Sequence, residues 1–113
     1  KVNKVNYPFL DTHPGSVIAK SQMSKGGAII TFDLKDGIEA GRKFLNNLKM
    51  LTLTANLGDA RSIASHPSST THRKLSEEER MSLGISPGLV RISVGLEHID
   101  DIANDIIQAL TNI

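Results

Sequence analysis

The chain has 113 residues, of which 39% are apolar and 22% charged, and its formal net charge is +1. This length suits one domain, and the balanced charge argues against binding to nucleic acid or to an acidic membrane. No apolar run is long enough for a transmembrane helix, and the absence of cysteine excludes disulfides and cysteine-ligated metals. We expect a cytoplasmic location, with which the lack of cysteine is compatible.

The first third of the chain predicts a linker, a helix and a strand. Residues 1–13 show no sustained hydrophobic period, so we expect a linker that leads into a single domain over residues 14–113. Pro14 is tolerated in the first turn of a helix, which glycines end before residue 28. Residues 28–34 alternate between apolar and polar side chains, which predicts a strand with one buried face.

The middle of the chain predicts a second helix and a second strand, followed by irregular structure. Apolar residues recur at helical spacing from Ile38 to Leu48, and residues 51–56 alternate as in a strand. In residues 57–75, Asp59 is expected to cap a short helical stretch. The hydroxyl-rich residues 68–71 indicate a solvated loop, with anion binding as the alternative.

The last third contains the clearest patterns. Ser76 and Glu79 have the spacing of a capping box at the start of a short helix. Residues 88–97 alternate strictly, with Val90, Ile92, Val94 and Leu96 on one face. Apolar residues over 99–113 follow the period of an amphipathic helix. The order of elements predicts a two-layer α+β or α/β sandwich with helices over the apolar face of the sheet.

Arg91 stands in the middle of the polar face of the strand over residues 88–97, and this face is the main candidate for a binding site. The planar guanidinium suits bidentate binding of a carboxylate or phosphate. If the strands pair directly, its neighbours on this face are Thr52, Thr54, Asn56 and Ser93. From the pattern alone, an arginine that is solvated or ion-paired is the favoured interpretation, with anion binding as the alternative.

Other kinds of site find little support in the sequence. None of the four histidines has the spacing of a helical zinc site, and no glycine-rich stretch completes a phosphate-binding motif. The acidic run at residues 76–80 fits a capped, solvated helix better than a pair of catalytic carboxylates. We therefore expect neither a metal site nor catalytic residues in this chain.

Three segments, residues 56–60, 66–72 and 84–102, together resemble the C-terminal domain of the Cys/Met-metabolism enzymes that depend on pyridoxal phosphate. This family includes cystathionine synthases and lyases, methionine gamma-lyase and the homoserine-ester sulfhydrylases. The resemblance extends along nearly the whole chain and is most specific in the block at 84–102. It implies an α+β domain, with a small, mostly antiparallel sheet and helices packed on one face.

The resemblance also implies roles for particular residues. Arg91 matches the family's arginine that grips the α-carboxylate of the amino-acid substrate. The segment with Asn56 and Leu57 matches residues that line the carboxylate pocket. Thr71 matches a threonine close to that arginine, and we expect it to support the guanidinium or the carboxylate.

The family's pyridoxal phosphate and its Schiff-base lysine belong to a large domain that precedes the matching region. None of the eight lysines of this chain stands in the family's lysine motif, so we expect the chain alone neither to bind the cofactor nor to turn over substrate. The expected partners are the amino-acid substrate and the large domain, and the resemblance implies a homotetramer for the parent protein.

The activity expected for the parent is that of an O-acetylhomoserine sulfhydrylase, which replaces acetate by a sulfur nucleophile. The Asn56-Leu57-Gly58-Asp59 and Ser69-Thr70-Thr71-His72 forms are similar to those of sulfhydrylases. A cystathionine gamma-synthase or methionine gamma-lyase type of enzyme is the alternative within the family. Two functions other than catalysis remain open. One is a free-standing amino-acid-binding module, and the other is an interaction domain whose polar sheet face docks a partner.

Overall fold

The computed structural model describes all residues from 1 to 113 and contains one five-stranded sheet and four α-helices. The elements in chain order are β1 (Val2–Asn6), α1 (Ser16–Gln22), β2 (Ile29–Leu34), α2 (Gly37–Asn47), β3 (Thr52–Leu53), β4 (Ile63–Ser65), a 3₁₀ turn (Pro67–Ser69), α3 (Glu77–Ser82), β5 (Leu89–Ser93) and α4 (Ile99–Thr111). The strand order is β1-β2-β5-β4-β3, and all neighbours are antiparallel except β3 and β4. This confirms the α+β class with a mostly antiparallel sheet. No helix combines the length and apolar character that crossing a bilayer requires.

The hydrophobic core lies on one face of the sheet, between β2 and β5 on one side and α2 and α4 on the other. Cross-strand partners share a face, and the paired residues Phe32 and Val90 are both buried there. Phe44 of α2 meets Phe32 edge to face, with ring centroids 5.3 Å apart. The two-layer arrangement leaves the other face of β5, which carries Arg91, on the side away from these helices.

The predicted linker over residues 1–13 is wrong for Val2–Asn6, which form the edge strand β1. This strand pairs antiparallel with β2, placing Asn6 opposite Thr31. Four of its five residues are exposed, so an apolar face that could reveal the strand is absent from the sequence. Only the part of the expected linker that follows Asn6 consists of turns.

The strand over residues 88–97 is shorter than its alternation predicts. β5 ends at Ser93, and the backbone N–H of Leu96 then donates to the carbonyl of Ala60, 2.8 Å away. Leu96 is 88% exposed instead of lying in the core. Gly95 allows this close approach, because a Cβ there would lie 2.4 Å from the backbone of Arg61.

Residues 57–75 contain an interior strand of the sheet that the sequence pattern does not reveal. β4 lies between β3 and β5, and all three of its residues are buried, so no alternation marks it. The expected helix cap at Asp59 is wrong. Its carboxylate instead accepts hydrogen bonds from the guanidinium and the backbone N–H of Arg61, which lower the pKa of Asp59 to about 2. The strand predicted over 51–56 is reduced to β3, and Leu53, expected inside, is 50% exposed.

The loop after β4 is organised around the buried imidazole of His66. Its Nε2–H donates to the carbonyl of Pro87 at 2.7 Å, and its Nδ1 accepts from the hydroxyl of Ser69 at 2.8 Å. Burial lowers the pKa of His66, and the carbonyl of Pro87 opposes this only partly. Ser68 is also buried, so the prediction of a solvated loop over residues 68–71 is wrong for its first residue.

Gly41 of α2 lies against the imidazole ring, since a Cβ at this position would be 2.4 Å from Nε2 of His66. In an ordinary helix interior, glycine is about 0.5–1 kcal/mol worse than alanine. We expect the opposite sign here, with Gly41→Ala lowering the free energy of unfolding by about 1–3 kcal/mol through overpacking. Urea denaturation checks this, and Asn46→Ala, exposed on the same helix, should stay within about 0.5 kcal/mol of the parent chain. A Gly41→Ala protein as stable as the parent would contradict the prediction.

Candidate functional site

The sheet face opposite α2 and α4 carries a polar row centred on Arg91. In the register of the sheet, Arg91 stands between Thr31 of β2 and Ser65 of β4. Because cross-strand partners share a face, the three side chains lie in one row. Arg91 and Thr31 are half-buried and Ser65 is buried. The expected grouping of Arg91 with Thr52 and Thr54 does not form, because β4 separates β3 from β5.

The loop over residues 55–58 is held against this face by two hydrogen bonds to β5. The Nη2 of Arg91 donates to the carbonyl of Ala55 at 2.9 Å. The backbone N–H of Gly58 donates to the hydroxyl of Ser93 at 3.2 Å. The two bonds fix both ends of the loop to residues that alternate along the polar face of one strand.

Asn56 and Leu57 lie between these two anchors, adjacent in sequence to the carbonyl that Arg91 binds. Both residues are exposed. The backbone N–H of Asn56 donates to the hydroxyl of Thr54 at 3.4 Å, while its side-chain amide makes no hydrogen bond within the chain. The structure therefore brings this predicted segment to Arg91, with the amide of Asn56 unengaged.

Thr71, by contrast, makes no hydrogen bond to Arg91. Its hydroxyl lies 2.7 Å from Nδ1 of His72, on the exposed side of the loop. Its support of the guanidinium or of a bound carboxylate therefore stays a prediction. The residue that stands beside Arg91 is Ser65, which the sequence analysis did not single out.

No acidic side chain neutralises Arg91, and it takes part in none of the ion pairs of the structure. Asp33 lies on the same face of the sheet, two residues after Thr31 on β2. Its carboxylate accepts a hydrogen bond from the hydroxyl of Ser86. Glu97 accepts from the backbone N–H of Ser62 at 2.6 Å and from its hydroxyl at 2.8 Å. The first of these bonds is the main reason why the pKa of Glu97 lies below its ordinary value.

The site can bind an anion, and nothing in it points to acid–base chemistry. A guanidinium has five N–H donors, of which Arg91 uses one on Ala55, so four make no hydrogen bond within the chain. A carboxylate can take two of them side by side. A groove of about 550 Å³ opens beside Thr31, but neither Arg91 nor Ser65 lines it. No three metal-ligating side chains come together anywhere in the chain.

Comparison with known proteins agrees with the fold. Residues 1–111 match the family described as Cys/Met metabolism PLP-dependent enzyme. The chain is 51% identical over 113 residues to L-methionine gamma-lyase of Fusobacterium nucleatum subsp. polymorphum, and 49% over 115 residues to O-acetyl-L-homoserine sulfhydrylase of Leptospira meyeri. Both alignments cover 100% of this chain, but only 29% and 26% of those relatives.

Solved structures give the same result. Cystathionine gamma synthase from Xanthomonas oryzae pv. oryzae, in complex with cystathionine, superimposes with a TM-score of 0.88 at 40% identity, over 98% of this chain and 29% of that one. Cystathionine gamma lyase from Micromonospora echinospora gives a TM-score of 0.89 at 39% identity, over 97% and 29%. The chain belongs to the Cys/Met-metabolism family of enzymes that depend on pyridoxal phosphate.

The residues of this chain do not by themselves fit the cofactor of that family. A lysine that forms a Schiff base is activated by desolvation in an apolar pocket or by a neighbouring cation. All eight lysines are exposed on the surface of this domain. None of them therefore has the surroundings of a Schiff-base lysine.

Ser65 was missed because it lies in β4, a strand that no alternation reveals. Sequence reasoning placed Arg91 on a polar face, but the neighbours of that face depend on which strands pair. A short buried strand such as β4 carries no periodic signal of its own. The sequence offers only the short run Ile63-Ala64-Ser65 before His66, which is equally compatible with a loop.

Proposed function

We propose that this chain provides the binding site for the α-carboxylate of an amino-acid substrate in a longer pyridoxal-phosphate enzyme of sulfur amino-acid metabolism. The observation that carries the proposal is the state of Arg91, which is half-buried, bonded to one neutral carbonyl and free of any acidic partner. A half-buried guanidinium without a counter-ion leaves its charge and most of its donors available, and a ligand carboxylate can pair with them. Family membership supports the class of substrate, since the relatives are named for methionine and O-acetylhomoserine.

In this proposal, Arg91 acts as a clamp. Two parallel N–H···O bonds fix the plane of the carboxylate and so limit the rotation of the whole substrate. Asn56 adds an amide donor from the loop that Arg91 itself holds, and Leu57 lines the pocket beside it. Thr71 supports the carboxylate from the neighbouring loop.

The remaining parts of the site lie outside this chain in the proposal. The chain spans about 29% of the length of the first curated relatives, so there is ample sequence in such proteins for a large domain. That domain would hold the cofactor and its lysine and supply the chemistry. The assembled protein is proposed to be a homotetramer in the cytoplasm.

Within the family, we favour the sulfhydrylase reaction, in which O-acetyl-L-homoserine and sulfide or a thiol give homocysteine or methionine and acetate. The forms of the segments at residues 56–59 and 69–72 support it, as does 48% identity over 107 residues to O-acetyl-L-homoserine sulfhydrylase 1 of Thermus thermophilus. A methionine gamma-lyase is the second candidate. It is favoured by identities of 51% and 53% to two Fusobacterium nucleatum proteins of that name.

A comparison of two substrates distinguishes the sulfhydrylase from the gamma-lyase. Full-length protein loaded with the cofactor is assayed for homocysteine from O-acetyl-L-homoserine and sulfide, and for methanethiol released from L-methionine. We expect kcat/KM for the first reaction to exceed that for the second by at least about tenfold, since this ratio measures specificity. A larger kcat/KM for L-methionine would identify the gamma-lyase instead.

Binding experiments on the 113-residue chain alone test the alternative of a free-standing amino-acid-binding module. Calorimetry with O-acetyl-L-homoserine or L-methionine, without the cofactor, is expected to give no tight stoichiometric binding. One clamp on an open sheet face leaves most of the ligand in water, whereas small-molecule sites bury most of the ligand surface. Tight binding to the chain alone would favour a free-standing amino-acid-binding module.

A further inference from the structure

Ser65 carries the one buried side-chain oxygen in the chain that has no hydrogen-bond partner. The residue is 5% exposed and lies in β4, between β3 and β5. Burying a hydroxyl without a partner costs free energy, and native proteins satisfy the large majority of such groups. An unpaired hydroxyl at this position therefore requires an explanation.

The position of Ser65 relative to Arg91 supplies one. The two residues are cross-strand partners on the same face. Arg91 also reaches the carbonyl of Ala55, which follows β3, and β4 lies between β3 and β5. The arginine side chain must therefore cross β4 at the level of Ser65. The Nε–H of Arg91 makes no hydrogen bond within the chain, so a free donor and a free acceptor stand on neighbouring strands.

We propose that Ser65 is a positioning residue for Arg91, and that its hydroxyl accepts a hydrogen bond from the Nε–H of Arg91 when a substrate carboxylate is bound. This inference rests on the proposed function of Arg91 as a carboxylate clamp. With Nε held by Ser65 and Nη2 held by the carbonyl of Ala55, the guanidinium plane is fixed at two points. The remaining hydrogens on Nη1 and Nη2 then face the carboxylate as a pair.

The choice of partners also preserves the charge of the clamp. Both acceptors, a hydroxyl and a carbonyl, are neutral, so neither offsets the charge that the ligand needs. A carboxylate in the place of Ser65 would hold the guanidinium as firmly but would compete with the substrate. In the unliganded protein the unpaired hydroxyl lowers the stability of the fold. Binding sites commonly carry such groups, which reduce stability but serve function.

Kinetics and thermal unfolding of the full-length protein test the inference. We expect Ser65→Ala to raise KM for the amino-acid substrate about tenfold or more, the effect of one lost hydrogen bond to a charged group, with kcat within about twofold. The Tm should stay equal or rise, because the variant removes an unsatisfied group. Ser65→Thr keeps the hydroxyl, so its KM should lie closer to that of the parent than the KM of Ser65→Ala.

Ser68→Ala is the matched control. Ser68 is equally buried, but its hydroxyl donates to the carbonyl of Ser86 at 2.9 Å, away from Arg91. We expect this variant to lower Tm and leave KM unchanged, the reverse of the result for Ser65→Ala. The contrast separates the loss of a positioning contact from general damage to a buried serine.

Two results would overturn the inference. One is a KM for Ser65→Ala equal to that of the parent, as expected if an ordered water simply satisfies the hydroxyl. The other is a lower Tm with kcat and KM both impaired, as for a structural serine. Arg91→Ala is measured in parallel: if it leaves KM unchanged, the clamp itself is wrong, whereas a large effect there with none at Ser65 refutes only the role of Ser65.

Discussion

Replacing Arg91 by alanine is expected to lower kcat/KM for the amino-acid substrate of the full-length protein about 100-fold or more. Hydrogen bonds to charged groups contribute about 1.5–3 kcal/mol each, and a bidentate clamp makes two of them. No other cation stands in the polar row of Thr31, Arg91 and Ser65 to take over the carboxylate. Steady-state kinetics with and without the substitution provides the measurement.

Two further variants make the result specific. Arg91→Lys keeps the charge but loses the planar fork, so we expect an intermediate loss, about tenfold or more. Arg61→Ala removes an exposed arginine that is already paired with Asp59, and it should leave kcat/KM within about threefold. Equal activity of Arg91→Ala and the parent, within a few-fold, would refute the clamp.

The second large effect concerns stability, and we expect Asp105→Ala to lower the free energy of unfolding by about 3 kcal/mol or more. The Asp105 carboxylate, on α4, accepts backbone N–H groups from three consecutive residues after α2: Lys49 at 2.8 Å, Met50 at 2.8 Å and Leu51 at 2.9 Å. Removing the carboxylate takes away three hydrogen bonds to a charged group, worth about 1.5–3 kcal/mol each, and leaves the N–H of the buried Leu51 without a partner. Urea denaturation of the 113-residue chain measures the loss. Asn104→Ala, exposed on the same helix, should stay within about 0.5 kcal/mol.

The pH dependence of stability checks the charge state of Asp105. Burial raises its pKa, but the hydrogen bonds from Leu51, Lys49 and Met50 outweigh burial and hold the pKa below its ordinary value. A depressed pKa in the folded chain contributes stability that is complete above the unfolded value of about 3.9 and disappears as the pH falls through the folded value. The difference in stability between the parent and Asp105→Asn should therefore shrink as the pH falls below about 3.9. A difference that stays constant down to low pH would contradict this explanation.

The elements that follow from the sequence are those whose buried face is strongly periodic. β2, β5, α2 and α4 each turn one apolar face to the common core, so alternation or helical spacing marks them. The capping box of α3 is also confirmed, with Ser76 and Glu79 satisfying each other's backbone N–H. These signals are local, because each depends on residues within a few positions of one another.

The parts that could not be predicted depend on long-range pairing. β1 buries almost nothing and β4 buries everything, so neither alternates, although both are fixed by their hydrogen bonds to β2 and β5. Because β4 was not predicted, Ser65 was not recognised either, since a residue is identified as a neighbour of Arg91 only when the strand order is known. The contact between Arg91 and Ala55 links residues 36 positions apart and has no local sequence signal.

For the candidate site, the sequence pattern and the family resemblance contributed differently. Alternation placed Arg91 on a polar face, but it could not separate a solvated arginine from an anion-binding one. The structure adds the absence of an acidic partner and the anchored loop with Asn56 and Leu57. The proposed role as a clamp thus rests on a charge that the chain itself leaves unpaired.

The most direct test of this clamp removes the charge from the ligand instead of the protein. The kcat/KM of the full-length protein is measured for an amino-acid substrate and for its α-carboxamide, in the parent and in Arg91→Ala. If Arg91 binds the α-carboxylate, the parent prefers the carboxylate about 100-fold or more, and the variant loses nearly all of this preference. An Arg91→Ala variant that discriminates between the two substrates as strongly as the parent would contradict the binding of the α-carboxylate by Arg91.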